Sequence, residues 1–184
     1  MLTVNFDPFP VIPTERLLLR KISDNDANEL FFIRSDKRTM KYLDRPVAKT
    51  VDDAMELIGR ITGDLTNNNG ITWAITLKDD PKLAGTIGYW RIDKPNHRAE
   101  IGYMIHPGLQ GKGLMQEAMS AVIDYGFSVM KIHSIEANVN PANEASIGIL
   151  EKNDFVREAY YKENYYFDGQ FLDTLIYSRL ALKK

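Results

Sequence analysis

The chain has 184 residues, 44% hydrophobic and 26% charged, a balance and a length that suit one globular domain with a sizeable core. Its 23 basic and 25 acidic side chains leave a formal charge of −2 with no basic stripe interleaved with aromatics, and its apolar runs are too short to cross a bilayer, which argues against nucleic acid and membrane as partners. The absence of cysteine excludes disulfides, thiolate metal ligands and a cysteine nucleophile, and the three histidines (His97, His106, His133) share no ligand spacing, so no metal is expected.

Residues 1–13 carry three of the eight prolines and neither a basic start nor a continuous apolar core. They predict an extended lead-in rather than a secretory signal, with the cytoplasm as the default compartment. Thr14 to Arg20 opens a strand. Ser23 with Asp26 is a capping-box pair for a helix through Arg34, and a short helix is expected over Lys37 to Leu43. Thr50 with Asp53 repeats the cap, followed by the helical stripe Ala54, Leu57, Ile58, Ile61 and Leu65, which Asn67-Asn68-Asn69-Gly70 ends. Strands are then expected over Ile71–Leu77, Leu83–Ile92 and Arg98–His106, with turns at Asp79–Lys82 and Asp93–Asn96. A helix from Leu114 to Met130, a strand from His133 to Val139, a helix from Asn143 to Lys152 and a hairpin, Phe155–Tyr166 with Phe171–Leu180, complete the chain. That order predicts a mixed α/β domain over 1–184 with a largely antiparallel sheet, not a regular βαβ alternation.

Between the third of those strands and the following helix lies Gln110-Gly111-Lys112-Gly113-Leu114-Met115. Two glycines let backbone amides crowd around an anion, and a helix N-terminus adds about half a positive charge behind them. Such a loop can hold a pyrophosphate without a metal. It fails the dinucleotide fingerprint, since Gln116 stands where Gly or Ala is required, and no G-x-x-x-x-G-K-[ST] occurs.

The order of elements together with this loop resembles the GNAT superfamily of N-acetyltransferases, whose cofactor loop reads [QR]-x-x-G-x-[GA]. Gln110 and Gly113 match that pattern and Met115 departs from it. Thr14-Glu15-Arg16-Leu17-Leu18-Leu19-Arg20, Glu100-Ile101-Gly102-Tyr103, Asn140-Pro141-x-Asn143-x-x-Ser146 and Lys152-Asn153-Asp154-Phe155 are similar to the RimJ/RimL-like branch, with Asp154 replacing a glycine. Members of that branch include ribosomal-protein alpha-amino acetyltransferases. The resemblance implies an acyl-CoA N-acyltransferase fold, with a splayed, mostly antiparallel sheet and helices on both faces. It also implies acetyl-CoA as co-substrate and a primary amine, of a protein N-terminus or a small molecule, as acceptor.

Residue by residue, the resemblance implies that amides of Gln110, Gly111, Lys112, Gly113, Leu114 and Met115 hold the pyrophosphate and that Met104 and Ile105 hold the pantetheine arm by main chain. Period-two alternation puts Glu100, Gly102 and Met104 on one strand face and Ile101, Tyr103 and Ile105 on the other, core-directed face. Glu100 is then either the general base, directly or through water, or a solvated carboxylate paired with Arg98 or Arg91. Ser146 is either the group that hydrogen-bonds the CoA sulfur and helps protonate the leaving thiolate, or an ordinary helical serine. Many superfamily members use a tyrosine there, and none occurs between Tyr125 and Tyr160. Asn143 is read both as a helix-start residue and as a pantetheine ligand. Lys112 either adds charge near phosphate or is a plain loop lysine.

With no cysteine, direct attack of the amine on the thioester is the simplest route. A lysine amine, with a pKa near about 10.4, needs more help than an alpha-amine near about 8. Tyr160, Tyr161, Tyr165 and Tyr166 either line an acceptor groove or are half-buried packing, Trp73 and Trp90 read as core or rim, and His106 is assigned no chemistry. A catalytically weak acyl-CoA-binding module is the alternative that Met115 and Asp154 leave open. Monomer and homodimer both remain compatible.

Overall fold

The computed structural model describes residues 2–181. In chain order its elements are β1 (Ile12–Pro13), β2 (Leu17–Lys21), α1 (Ala27–Ser35), α2 (Lys37–Met40), α3 (Val51–Thr66), β3 (Ile71–Leu77), β4 (Asp80–Asp93), β5 (Arg98–Ile105), α4 (Leu114–Ser128), β6 (Ser134–Val139), α5 (Glu144–Lys152), β7 (Val156–Phe167) and β8 (Gln170–Leu180). Short 3-10 turns precede α1 (Asp24–Asp26) and follow β5 (Pro107–Leu109). The mixed α/β expectation holds, and the sheet runs β1-β2-β3-β4-β5-β6-β8-β7 with β5–β6 as its parallel pair.

Local chemistry sets the element ends. At α3, Thr50 and Asp53 cap each other: Asp53 N–H donates to Thr50 Oγ1 at 3.4 Å and Thr50 N–H to Asp53 Oδ2 at 3.0 Å. At the start of α1, Ser23 N–H donates to Asp26 Oδ2 at 2.9 Å. The lead-in is more than an extended arm: Leu2 and Phe6 are buried, Trp73 Nε1–H donates to the Pro10 carbonyl at 2.7 Å, and β1 pairs with β2. It closes one side of the larger core.

Two apolar layers sandwich the sheet. On one face Leu17, Leu19, Trp73, Ile75, Ile87, Tyr89 and Ile101 pack against α4 and α5, through Ala118, Met119, Val122 and Leu150. On the other, Ala74 and Leu83, with Met104 at the margin, pack against Leu30 and Ile33 of α1 and Ala54 and Ile58 of α3. Residues of β5 therefore divide by parity between two chemically separate sides, as strand alternation requires.

β5 and β6 part company early. Their pairing covers only Arg98↔Ser134, Ala99↔Ile135 and Glu100↔Glu136, while β5 runs on to Ile105 and β6 continues to Val139, paired on its other edge with β8 along its whole length. A gap opens in the sheet just beyond Glu100. No helix among the described residues is long and apolar enough to cross a membrane.

Candidate active site

Among the described residues, the edge of β5 that lines this gap carries main-chain groups with no partner strand, and antiparallel pairing decides which. His106 N–H donates to the Ala84 carbonyl at 2.7 Å, and a side chain on Gly85 would run into the Met104 carbonyl. Even-numbered residues therefore exchange their hydrogen bonds with β4, and Tyr103 and Ile105 face the gap. This corrects the expectation for Met104: its main chain is committed to β4, and its side chain packs beside α1 and α3. Ile105 and Tyr103 instead have main-chain groups that are not committed to β4.

Beyond β5, His106 Nδ1 accepts the Gly108 amide at 3.0 Å and its ring stacks on Phe32 at 4.8 Å, which fixes the chain's exit from the sheet. The loop then takes positive φ at Gly111 and Gly113, both +74°, and Gly113 is the N-cap of α4. A side chain at Gly111 would meet open space. Gln110, Gly111, Lys112 and Gly113 are exposed, so their amides are accessible to an anion. Met115, the departure from the glycine/alanine pattern, is 5% exposed with its side chain in the core beside α4's other apolar residues. Only its amide bears on the loop.

A clamp that was not read from the sequence holds this loop. Arg16 donates from Nε to Glu117 Oε2 at 2.6 Å and from Nη1 to the Lys112 carbonyl at 3.0 Å. Glu117 Oε1 also accepts Thr14 Oγ1–H at 2.6 Å and the Arg16 amide at 2.8 Å. Burial alone would raise the Glu117 pKa, but these hydrogen bonds outweigh it and hold it below the usual value.

Glu100 stands where the gap begins, 9% exposed, on the α1/α3 side of the sheet. Burial raises its pKa, and neighbouring Glu136 adds to the rise against the Asn138 hydrogen bond and the Arg91 and Arg45 charges. Asn138 Nδ2–H donates to Oε1 at 2.6 Å. Among the described residues Glu100 makes no ion pair with Arg98 or Arg91; Arg98 pairs instead with Glu136. Arg91, Asp93, Arg98, Ala99, Glu100 and Glu136 line a cleft of about 110 Å³. The rim has a second feature. A register shift between Tyr89 and Arg91 inserts Trp90 as an extra residue, and its Cδ1 lies 3.1 Å from where a Gly102 Cβ would be. Trp90 is a rim residue, 46% exposed, while Trp73 is fully buried.

Ser146 lies across the sheet from Glu100, in the first turn of α5. Asn143 caps that helix, its Oδ1 accepting the Ser146 amide at 3.2 Å, which leaves the Asn143 Nδ2–H group for another acceptor. The Ser146 hydroxyl is 2.6 Å from the Tyr103 hydroxyl. A tyrosine therefore does meet this helix, delivered by β5 rather than by nearby sequence. The alternation that sends Tyr103 to the α4/α5 face was the available signal, because a phenol tip in that position needs a partner. Tyr160, Tyr161 and Tyr166 are more than half exposed, against the half-buried packing reading, whereas Tyr165 is partly buried and its hydroxyl donates to the Asp44 carbonyl at 3.3 Å.

Residues 16–156 match the family described as the acetyltransferase (GNAT) domain. The chain is 35% identical over 170 residues to the uncharacterized N-acetyltransferase YoaA of Bacillus subtilis (strain 168), spanning 92% of this chain and 96% of that one. It is 27% identical over 173 residues to the ribosomal protein uS5-alanine N-acetyltransferase of Escherichia coli (strain K12), spanning 90% and 88%. In fold it superposes on RimL, the ribosomal L7/L12 alpha-N-protein acetyltransferase solved in complex with coenzyme A, with a TM-score of 0.85 at 21% identity, covering 93% of this chain and 98% of that one. The chain belongs to the GNAT acetyltransferase family and is an N-acetyltransferase of its RimJ/RimL-like branch.

Proposed function

We propose that the protein transfers an acetyl group from acetyl-CoA to a primary amine by direct attack, the amine being the alpha-amine of a protein N-terminus or that of a small molecule. One observation carries this reading: Glu100 and Ser146 lie on opposite sides of the sheet at the point where β5 and β6 part. An amine approaching from one side and a thiol leaving on the other would each meet one of them.

Acetyl-CoA supplies the acyl thioester. The open glycine cradle at Gly111 and Gly113 and the unpaired edge of β5 suit its pyrophosphate and its pantetheine amides. In this reading the amides from Gln110 to Met115 and the Lys112 side chain hold the pyrophosphate, the main chain of Tyr103 and Ile105 holds the arm, and Asn143 donates from Nδ2 to an arm carbonyl. Glu100 takes the amine proton on Oε2, since Asn138 occupies Oε1. Its raised pKa brings the carboxylate closer to that of the amine it must deprotonate. Ser146 donates Oγ–H to the departing sulfur. RimL's coenzyme A complex and the alanine acceptor of the Escherichia coli relative support the co-substrate and the class of acceptor.

The test is thiol release from acetyl-CoA with peptides beginning with Ala, Ser or Met, and with spermidine, as acceptors. Amine-dependent release is the expected result. Tight coenzyme A binding with no release from any amine would favour a binding module instead.

A further inference from the structure

We propose that Tyr103 is a positioning residue for the leaving-group step, donating its phenolic proton to Ser146 Oγ so that the serine's own proton is turned toward the CoA sulfur. The inference rests on the proposed role of Ser146 and adds a residue to it. Its basis is geometric. The two hydroxyls, 43 positions apart in sequence, meet at 2.6 Å and bridge β5 to the first turn of α5 beneath the gap. Asn143 Oδ1 already holds the Ser146 amide, so the backbone of the serine is fixed and the Tyr103 contact is left to set its side chain. A hydroxyl has one proton to give. If Ser146 gave its proton to Tyr103, the sulfur would face lone pairs; with Tyr103 as donor, it faces Oγ–H.

A phenol is the stronger acid and the weaker acceptor of the two hydroxyls, which favours that direction. Burial pushes the Tyr103 phenol up to about 12, so the tyrosine keeps its proton throughout the working range of the amine. The amine's lone pair forms the N–C bond to the acetyl carbon; as the C–S bond breaks, its electron pair goes to sulfur and the Ser146 Oγ–H group stabilises the developing thiolate. The ammonium gives one proton to Glu100, and from there to solvent, before attack; the nitrogen loses a second to solvent once the N–C bond has formed, and solvent returns one to the thiolate. Ser146 and Tyr103 end each turnover with the protons they began with.

A double-mutant cycle on kcat, with the amine that supports turnover, tests the coupling. Tyr103→Phe keeps the ring and loses one hydrogen bond, so kcat is expected to fall about tenfold. KM for acetyl-CoA and coenzyme A affinity by calorimetry should stay unchanged, the latter also reporting that the variant is folded. In the Ser146→Ala background the same change should cost nothing further, a masking that a merely structural role would not produce. An equal tenfold loss in both backgrounds would show Tyr103 acting on its own, and no loss in the wild-type background would show it idle; either overturns the proposal. Wild-type kcat in Ser146→Ala alone would instead remove the serine, and the reading this inference rests on, from the mechanism. If Tyr103→Phe does not fold, Ser146→Thr, which keeps a donor for sulfur and an acceptor for Tyr103, should retain more kcat than Ser146→Ala; equal losses count against the dyad.

Discussion

Arg16 and Glu117, 101 positions apart, form a clamp in which Nε reaches Oε2 at 2.6 Å while Nη1 holds the Lys112 carbonyl at 3.0 Å. A peptide's N–H points opposite to its C=O, so fixing the Lys112 carbonyl toward the guanidinium turns the Gly113 amide away from it, the direction the proposed pyrophosphate site needs. Arg16→Gln is therefore expected to raise KM for acetyl-CoA about tenfold, the scale of one or two lost hydrogen bonds, with kcat at saturation close to wild type. Because the Glu117 pKa is lowered, the clamp's contribution is present above the ordinary glutamate range and is lost as pH falls through the lowered value. Coenzyme A affinity measured by calorimetry from neutral to acidic pH should show that loss in the wild type and not in the variant. Identical affinities for the two at neutral pH would sink the clamp's role in binding.

Glu100 links activity and stability with opposite signs. For activity, Glu100→Gln is expected to lower kcat by about a hundredfold at pH values where the acceptor is still protonated. The deficit should close as pH rises past the amine's own pKa, with KM for acetyl-CoA spared. For stability, burial raises the folded-state pKa, so the protonated carboxyl is favoured by folding. That stabilisation is full below the unfolded pKa and is lost as pH rises through the folded one. Glu100→Gln should then melt higher than wild type at neutral pH and no higher under acid conditions. A pH–rate profile that overlays wild type would take Glu100 out of the mechanism.

Asp154 concerns stability alone. It has φ +58° just past α5, where its N–H reaches the Glu151 carbonyl at 3.1 Å and Phe155 N–H the Leu150 carbonyl at 3.1 Å. That is the left-handed position that glycine fills at helix ends. Aspartate tolerates it at a cost, and its ion pair to Arg179, 3.5 Å long with the Asp154 side chain 82% exposed, returns little. Asp154→Gly is expected to stabilise the fold by about 0.5–1 kcal/mol, or roughly 2 °C in Tm. Asp154→Ala should not stabilise it. A lower Tm for the glycine variant would mean that the ion pair outweighs the strain.

Local signals were legible in the sequence to the extent that they were local. The Ser23 and Thr50 caps and the alternation of β5 each depend on a few neighbouring residues, and the fold uses them as read. What was not legible joins distant segments. Arg16 was visible within its motif, but nothing nearby announces Glu117 as its partner. Asn138 meets Glu100 only because β6 lies parallel to β5, and Tyr103 meets Ser146 only because α5 packs under that strand. The Met104 correction has the same origin. Which edge of a strand a carbonyl faces depends on the register with its neighbour, and one residue of slip reverses it.

The bulge at Trp90 is also invisible to pattern reading, and it yields a prediction about the acceptor. The extra residue in β4 aims the indole across Gly102 on the Glu100 side of the sheet, beside the cleft that Glu100 lines. Trp90→Ala is expected to raise KM for the amine by about tenfold, the loss of one aromatic contact surface, while KM for acetyl-CoA stays put. At 46% exposure the indole contributes little to the core, so Tm should move little. Gly102→Ala supplies the complementary test, because a Cβ there would stand 3.1 Å from Trp90 Cδ1 and the ring would have to give by a few tenths of an ångström. It should raise the same KM in the wild-type background and have no further effect once Trp90 is alanine. If both single variants leave the acceptor KM unchanged across the peptide and spermidine panel, the amine approaches by a route that does not pass this ring.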